Sequence, residues 1–515
     1  MSLVTPSNVR FILNVSIASR ILVILLQVLF NHLIVDHDAD AYRNRYHLTL
    51  THSEHNTSSS IKSILPDTYS YSFGLIEGLT KWDGQYFLEI SKDGYQSEQH
   101  LAFLPFYPTL ISVVRQLVFD HRGINFEHLM PSSNLFAQQG SSEEVTVKDL
   151  EVYIQSALTG LVLNNFVLFP IACLSLFILT KLVKSSDDKY AKTVIWWFCF
   201  NPASIFFTAC YSESTFSALT FTALFILELK ASKYTDDVAV KGRTAGSGPR
   251  SSFEPLSQLN RLIYIILPSL GPIALSTAAR SNGLVNIGFV VYQFLLKYVT
   301  LLTTNRRYWT IMAYVCLFLE VCQDILVLIM SSVFAASGYI SFQIYSYIRF
   351  CVKGITRSDS RSRETIGVNH MMNGQKPDWC NKQFPHPYGQ VQAKYWNVGF
   401  LKYCEFKQLP NFMLAAPITY IIFKGSQVES RLSPKPPRSK RQLAYYMQAI
   451  MLTLLCGVSI NIQVVTRLIA SSCPAFYWIC VDLSSDKKQE KILKSYFVLY
   501  FLTGIIMHVN YFPWT

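Results

Sequence analysis

The sequence predicts an all-α polytopic membrane protein, one integral membrane domain over residues 1–515 with about ten crossing helices, within a range of eight to twelve. Three observations predict it. Half of the 515 residues are hydrophobic and only 15% are charged, against about 25% charged in soluble domains. The apolar residues fall in long blocks, and a helix needs about 20 of them to cross roughly 30 Å of hydrocarbon. The basic residues gather in short segments between those blocks, as topology signals do.

The first block runs from about Phe11 to Val35. It lacks a small-residue cleavage site and Arg20 interrupts it, so it reads as an uncleaved first span. Residues 36–149 are mostly polar and too long for a tight turn. Within them Leu101–Phe119 is apolar but broken by Pro105, Pro108 and Arg115. Further blocks follow at Ile154–Leu182, Val194–Cys210, Phe216–Leu229, Leu262–Ala279, Leu284–Leu302, Ile311–Phe334, Phe412–Phe423, Tyr445–Val465 and Ile492–Met507, with Tyr339–Phe350 as an additional helix candidate. If Leu101–Phe119 is re-entrant, every basic loop lies on the side of the N-terminus: Lys181–Lys192, residues 231–260, Arg306-Arg307 and residues 424–442. If it crosses, all four move to the opposite side, against the positive-inside rule. The re-entrant reading places 36–149 and 335–410 together on the other, luminal face. Asn56-Thr57-Ser58 on that face is an N-glycosylation sequon. The basic loops 231–260 and 424–442 hold Gly, Ser and Pro runs that cannot pack a core and read as flexible.

The formal net charge of +12 fits these loops and anionic lipid headgroups rather than nucleic acid, since no basic stripe interleaves with aromatics. The eleven cysteines show neither a CxxC pair nor zinc-ligand spacing. Most lie in apolar blocks as small hydrophobes; among Cys380, Cys404, Cys473 and Cys480 a disulfide is left open. There is no Walker A loop, dinucleotide glycine motif, HExxH or GxSxG, so ATP-driven transport and serine hydrolysis lack support. Asp36-His37-Asp38 has only the spelling of a metal–nucleotide-sugar clamp. No metal or other cofactor is called for.

Four constellations on the luminal face carry chemistry. Lys81-Trp82-Asp83-Gly84-Gln85-Tyr86-Phe87, with Glu98 and Ala102-Phe103-Leu104-Pro105, sets carboxylates among aromatic rings. Such rings stack on sugars, and a carboxylate in an apolar setting serves as a general base; the plainer reading is an interfacial helix. Asn201-Pro202-Ala203-Ser204 with Tyr211-Ser212-Glu213-Ser214 offers Glu213, as a sugar contact or as a helix-entry acid. Arg280-Ser281-Asn282-Gly283, and Arg467 with Ser471-Ser472-Cys473-Pro474, supply guanidinium groups for a phosphate at the membrane surface; the plainer reading is a snorkelling side chain.

These motifs, together with Tyr395-Trp396-Asn397-Val398-Gly399, Gln408-Leu409-Pro410-Asn411-Phe412 and the terminal Phe512-Pro513-Trp514-Thr515, run in order along nearly the whole chain. The chain resembles the GPI mannosyltransferase 2 family, the second-mannose enzymes of GPI-anchor biosynthesis. The resemblance implies a GT-C glycosyltransferase bundle in the endoplasmic reticulum membrane with a luminal active site. It implies an inverting α1,6 transfer of mannose from dolichol-phosphate-mannose to the first mannose of a GPI-anchor precursor. Carried onto this sequence, the base is Asp83. Arg280 and Arg467 are candidates for the donor phosphate, and Glu98 and Glu213 for sugar hydroxyls or their support. Trp82, Gln85, Tyr86, Asn282 and Trp396 are the further substrate-contact candidates within the motifs. A small accessory membrane subunit is left open as a partner. The alternatives are another dolichol-phosphate-sugar-dependent transferase acting on protein or a different glycan, and a non-enzymatic lipid or solute transporter, which would bury acids at mid-membrane.

Overall fold

The computed structural model describes residues 4–39, 41–51, 67–120, 145–244, 255–304, 311–352, 376–432 and 436–513. These residues form helices and connections with no strand among them. Asn56 and the run 245–252 lie outside the described residues.

The first helix, α1 (Pro6–Leu33), starts ahead of the apolar block that begins at about Phe11, because its cap lies upstream. Thr5 accepts the Asn8 N–H at 3.3 Å and Pro6 opens the helix. The polar segment 36–149 yields four described helices, α2 (Arg45–Thr51), α3 (Asp67–Ile76), α4 (Asp83–Asp93) and α5 (Phe106–Phe119), and the start of α6 (Val147–Val162). At 1.5 Å per residue α5 is about 21 Å long, short of a crossing. A single π-helical turn, Leu163–Leu168, joins α6 to α7 (Phe169–Val183). Then come α8 (Asp188–Cys199), α9 (Ser204–Thr208), α10 (Glu213–Thr244), α11 (Pro255–Ala279), α12 (Ile287–Thr304), α13 (Ile311–Tyr347), α14 (Pro387–Tyr395), α15 (Leu409–Leu432), α16 (Pro436–Val458), α17 (Val465–Ser472), α18 (Pro474–Leu483) and α19 (Lys487–Val509).

Six helical stretches are long and apolar enough to cross a membrane among the described residues, and α17 with α18 makes a seventh if that bent pair, at 89°, counts as one span. The protein is thus a multi-pass, all-α membrane protein, while this count does not establish ten spans. Several blocks differ from their expected form. Val194–Cys210 is two helices, because Pro202 cannot donate into a helical ladder and the Asn201 side chain caps the break, accepting from Ala203 N at 2.8 Å. Tyr339–Phe350 is no separate helix; α13 runs through it to Tyr347 and a π-helical turn, Ile348–Val352, follows directly. The described ends of both basic loops are helical, since α10 runs on to Thr244 and α15 to Leu432. Ionisable groups also lie inside the blocks. Lys297 on α12 is buried against Glu320 on α13 at 2.7 Å and against Asp324, which also accepts from Tyr298 at 2.6 Å. Paired this way across neighbouring helices, they pin α12 to α13.

Packing draws the helix ends into two groups. Asn8 reaches Asp188 at 2.9 Å and Gln442 reaches Val183 O at 3.0 Å at the end that carries the basic loops. At the other end Lys81 and Trp82 meet the carbonyls of Val509 and His508, and Leu401 N meets Val458 O. A cap covers this second end. Its own apolar core joins Tyr86, Phe87, Leu101, Phe103 and Tyr107 to Phe342, Phe350, Trp379 and Val391. Residues of the two large polar segments thus pack against each other. A disulfide, Cys351–Cys380, ties the end of α13 to this cap. Cys380 is thus bonded, but to a residue outside the expected set, while Cys404, Cys473 and Cys480 are free. Cys473 and Cys480 are buried in the bundle core, out of reach of a cap thiol.

Arg20 resolves the break after α8. Its guanidinium is buried and donates to Cys199 O at 2.7 Å, Ser204 O at 3.0 Å, Thr208 Oγ1 at 3.0 Å and Ser204 Oγ at 3.2 Å, over the Phe169 ring at 4.0 Å. Non-helical backbone at membrane depth persists only where its carbonyls find donors inside the protein. The residue that interrupts the first span is therefore the donor that lets a later span break. Arg20→Met is expected to destabilise the protein by about 3 kcal/mol, since the Ser204 and Cys199 carbonyls lose a charged donor and Cys199 O keeps only the Ser204 hydroxyl, at 3.3 Å. Arg20→Lys, with three donors rather than five, is expected to fall between; thermal unfolding in detergent orders the three proteins.

Candidate active site

The site forms where the first cap helix meets three spans. Asp83 is the first residue of α4, where a carboxylate sits favourably against the helix dipole. The turn that delivers it is strained: Trp82 has φ 58° and ψ −129°, a conformation that non-glycine residues rarely adopt. The Trp82 indole is anchored on His508 O at 3.1 Å, and its ring packs on Tyr511 at 5.6 Å. Lys81, fully buried one residue earlier, binds Asp36 at 2.7 Å and Val509 O at 2.8 Å. Anchors on both sides hold the turn, with Asp36 engaged by the lysine.

Arg467 on α17 donates from both terminal nitrogens to one oxygen of Asp83, each at 3.1 Å. Its Nε lies 2.5 Å from Glu213 Oε1. The same oxygen receives Arg280, whose guanidinium also reaches Ser212 Oγ at 3.2 Å. Glu213 is fully buried, in the first turn of α10. The two arginines, from α17 and from the end of α11, thus converge on one buried carboxylate. Two acids and two guanidinium groups balance to zero, which a low-dielectric site requires. Asp83 is the most exposed member, with 28% of its side chain accessible. Burial pulls the Arg280 guanidinium below its ordinary value against the opposing pull of Glu213.

Local geometry explains the Arg280-Ser281-Asn282-Gly283 sequence. Gly283 turns so close under α11 that an added Cβ would lie 2.6 Å from Ser276 O. Asn282 then reaches across to Ser472 Oγ on α17 at 2.8 Å, bracing the two arginine-bearing elements against each other. Ser281 meets the Tyr388 hydroxyl at 2.9 Å, which brings α14 over the site.

Of the sequence candidates, Asp83, Glu213, Arg280 and Arg467 form one ion cluster, with Asn282 and Trp82 holding its walls. The others lie behind it. Gln85 is buried, its amide engaged by Tyr511 at 2.6 Å and by Asn44 N at 2.7 Å. Tyr86 stacks between Tyr42 and Phe103 and bonds Gln99 at 3.2 Å. Burial, then the charges of Asp83 and Glu89, push its phenol above its ordinary range. Glu98 accepts from Trp379 at 2.9 Å, Lys394 at 2.7 Å and Tyr395 at 3.0 Å, so it clasps the second cap segment to the first. Trp396 sets its edge against Tyr86 and Phe103. Sequence reasoning did not single out Tyr211 or Phe206. Their rings lie 5.2 and 5.0 Å from the Arg467 guanidinium, and the Tyr211 hydroxyl accepts the Asp83 N–H at 3.1 Å. Tyr211 sits within a quoted motif and Phe206 two residues past one, but only the fold turns them toward Arg467. A cavity of about 470 Å³ bounded by Asp36, Arg43, Glu77 and Tyr511 lies on the far side of the Trp82 turn and shares no residue with the ion cluster.

Residues 9–435 match the family described as Mannosyltransferase (PIG-V). The chain is 28% identical to GPI alpha-1,6-mannosyltransferase 2 of Homo sapiens, over 99% of both chains. It is 28% identical to GPI mannosyltransferase 2 of Drosophila melanogaster, over 97% of this chain and 98% of that one. No solved structure matches.

Removing one member of a buried ion cluster leaves the others uncompensated, at about 3–5 kcal/mol. Glu213→Gln is expected to destabilise by that order in chemical or thermal unfolding. Adding Arg280→Met to it is expected to recover part of the loss, because the two changes share an interaction. Additive losses would argue against the shared carboxylate.

Proposed function

The chain belongs to the mannosyltransferase (PIG-V) family, and from that premise we propose that it moves mannose from dolichol-phosphate-mannose to the first mannose of a GPI-anchor precursor, in α1,6 linkage, at the luminal face of the endoplasmic reticulum membrane. It is a glycosyltransferase, and mannose transfer in GPI-anchor biosynthesis is its activity. The observation that supports this chemistry is the Asp83–Arg467–Glu213–Arg280 cluster at one end of the bundle.

In the proposed reaction the acceptor hydroxyl attacks the anomeric carbon from the face opposite the phosphate. The bond from that carbon to the phosphate oxygen breaks, and its electron pair leaves with the phosphate. Asp83 takes the hydroxyl proton, and the sugar configuration inverts. The leaving phosphate is already ionised, so it needs charge stabilisation rather than a strong acid. Arg280 and Arg467 supply that charge in a setting that excludes much of the water. Glu213 keeps both guanidinium groups in place before the donor arrives, so little reorganisation remains for the reaction itself.

Arg467 links the two halves of this mechanism. While it holds Asp83 with two hydrogen bonds, one oxygen of the base is engaged. A donor phosphate competes for those same N–H groups, and its binding releases the carboxylate toward the acceptor. The base is thereby freed only when a donor is present. The two small-molecule partners of this reading are the lipid-linked donor and the GPI glycolipid. A transferase for another glycan would share the ion cluster, but the relatives named for the second GPI mannose favour the GPI acceptor. Glu320 and Asp324, buried within a span, are charge-paired with Lys297 on the neighbouring helix.

Asp83→Asn is expected to lower mannose transfer by about 10²–10⁴-fold, the usual range for a general base, with protein level unchanged. Microsomes supplied with dolichol-phosphate-mannose and a GPI precursor provide the assay. Surface GPI-anchored proteins in cells lacking the second-mannose enzyme provide the cellular counterpart. Transfer at the parent rate would remove Asp83 from the reaction.

A further inference from the structure

The segment between α8 and α10 carries Tyr211 and Glu213 into the site, yet most of it is not regular helix. Its buried carbonyls need donors from elsewhere. Arg20 satisfies the upstream half. The downstream half is held from the opposite side by two consecutive asparagines. Asn165 Nδ2 donates to Thr208 O at 2.9 Å and to Leu161 O at 2.8 Å. The two N–H groups of Asn164 Nδ2 are shared among Ala209 O at 2.7 Å, Tyr211 O at 2.9 Å and the Tyr107 hydroxyl at 2.9 Å. Both side chains are fully buried. Both belong to the π-helical turn Leu163–Leu168. An extra residue in the turn leaves carbonyls and side chains offset from the regular ladder, a device common at functional sites.

Asn164 therefore fixes the backbone on either side of Cys210, whose own N–H is held by Leu79 O at 3.0 Å. That places the Tyr211 ring. Its hydroxyl accepts the Asp83 N–H and its face lies against the Arg467 guanidinium. We infer that Asn164 is a positioning residue for the transfer: it acts through Tyr211 on both Asp83 and Arg467, without touching substrate. This rests on the functional reading above, in which Asp83 is the base.

The alternative is that Asn164 only stabilises the bundle, and a two-by-two cycle of Asn164→Ala and Tyr211→Phe separates the two. Full-length proteins are purified in detergent and turnover is measured at saturating donor and acceptor. Each single variant is expected to lower kcat by about 10- to 100-fold, the scale on which small misplacements act. The double variant is expected to lie within about threefold of the worse single, because both changes cut one chain of contacts. Losses that multiply overturn the inference, as does a folded Asn164 variant at the parent kcat. Asn164→Ser keeps a hydroxyl donor and is the second variant if Asn164→Ala does not accumulate; failure of both to fold assigns the residue to stability and overturns its positioning role. Asp83→Asn is measured alongside. If it is inactive and the cycle multiplies, only the Asn164 role fails; if it keeps its rate, the functional reading and the Asn164 role fall together.

Discussion

A single buried carboxylate organises this protein's chemistry. Glu213 has no access to solvent, and one of its oxygens holds both Arg280 and Arg467. Two guanidinium groups could not share so dry a site without it, because the desolvation cost of each is large and their mutual repulsion adds to it. With it, Arg467 is left free to turn its outer nitrogens to Asp83. Four chain segments far apart in sequence thereby meet at one charge-balanced point. The proposed roles of the four residues follow their exposure: the enclosed acid holds the arginines, the arginines are 13% and 14% accessible, and the most accessible carboxylate, Asp83, is the proposed base.

The helices make that arrangement possible by breaking. A continuous helix over Val194–Cys210 would place Tyr211 and Glu213 wherever its phase dictated. Pro202 ends the ladder instead, and Arg20 takes over the carbonyls that lose their donors. Close approach does the same work at Gly283, where a side chain would collide with Ser276, and strain does it at Trp82, whose unusual φ aims the following Asp83. The cap built from the two large polar segments encloses the cluster from above, clasped by Glu98 and its three donors. At Trp82 and Gly283 the departure lies within a few residues of a charged side chain, Asp83 and Arg280.

The membrane character, most of the helical blocks and the four charged residues of the cluster could be read from the sequence, because hydropathy, charge placement and motif order are local properties. Which polar residues serve the site and which serve the scaffold could not. Gln85 and Glu98 carry the same motif signal as Asp83, yet both spend their polar atoms on neighbouring protein groups. Arg20 read as a flaw in a span, when its partners lie about 180 residues away. Asn164 and Asn165 stood inside an apolar block, and paired amides at membrane depth are the signal that could have singled them out. The break at Asn201-Pro202 was written in the sequence too, but hydropathy averaging conceals it. Cys351 was passed over as a partner for Cys380 because only the folded end of α13 brings it near.

The central claim is that one guanidinium serves the base and the donor phosphate in turn. The most direct test is a structure of the full-length protein with a non-hydrolysable phosphonate analogue of the lipid-linked mannose donor. The account predicts the phosphonate oxygens on Arg280 and Arg467, with Glu213 unmoved and the Asp83 carboxylate parted from Arg467 and turned toward the anomeric carbon. A phosphonate bound away from both arginines, with the Asp83–Arg467 pair intact, would contradict it.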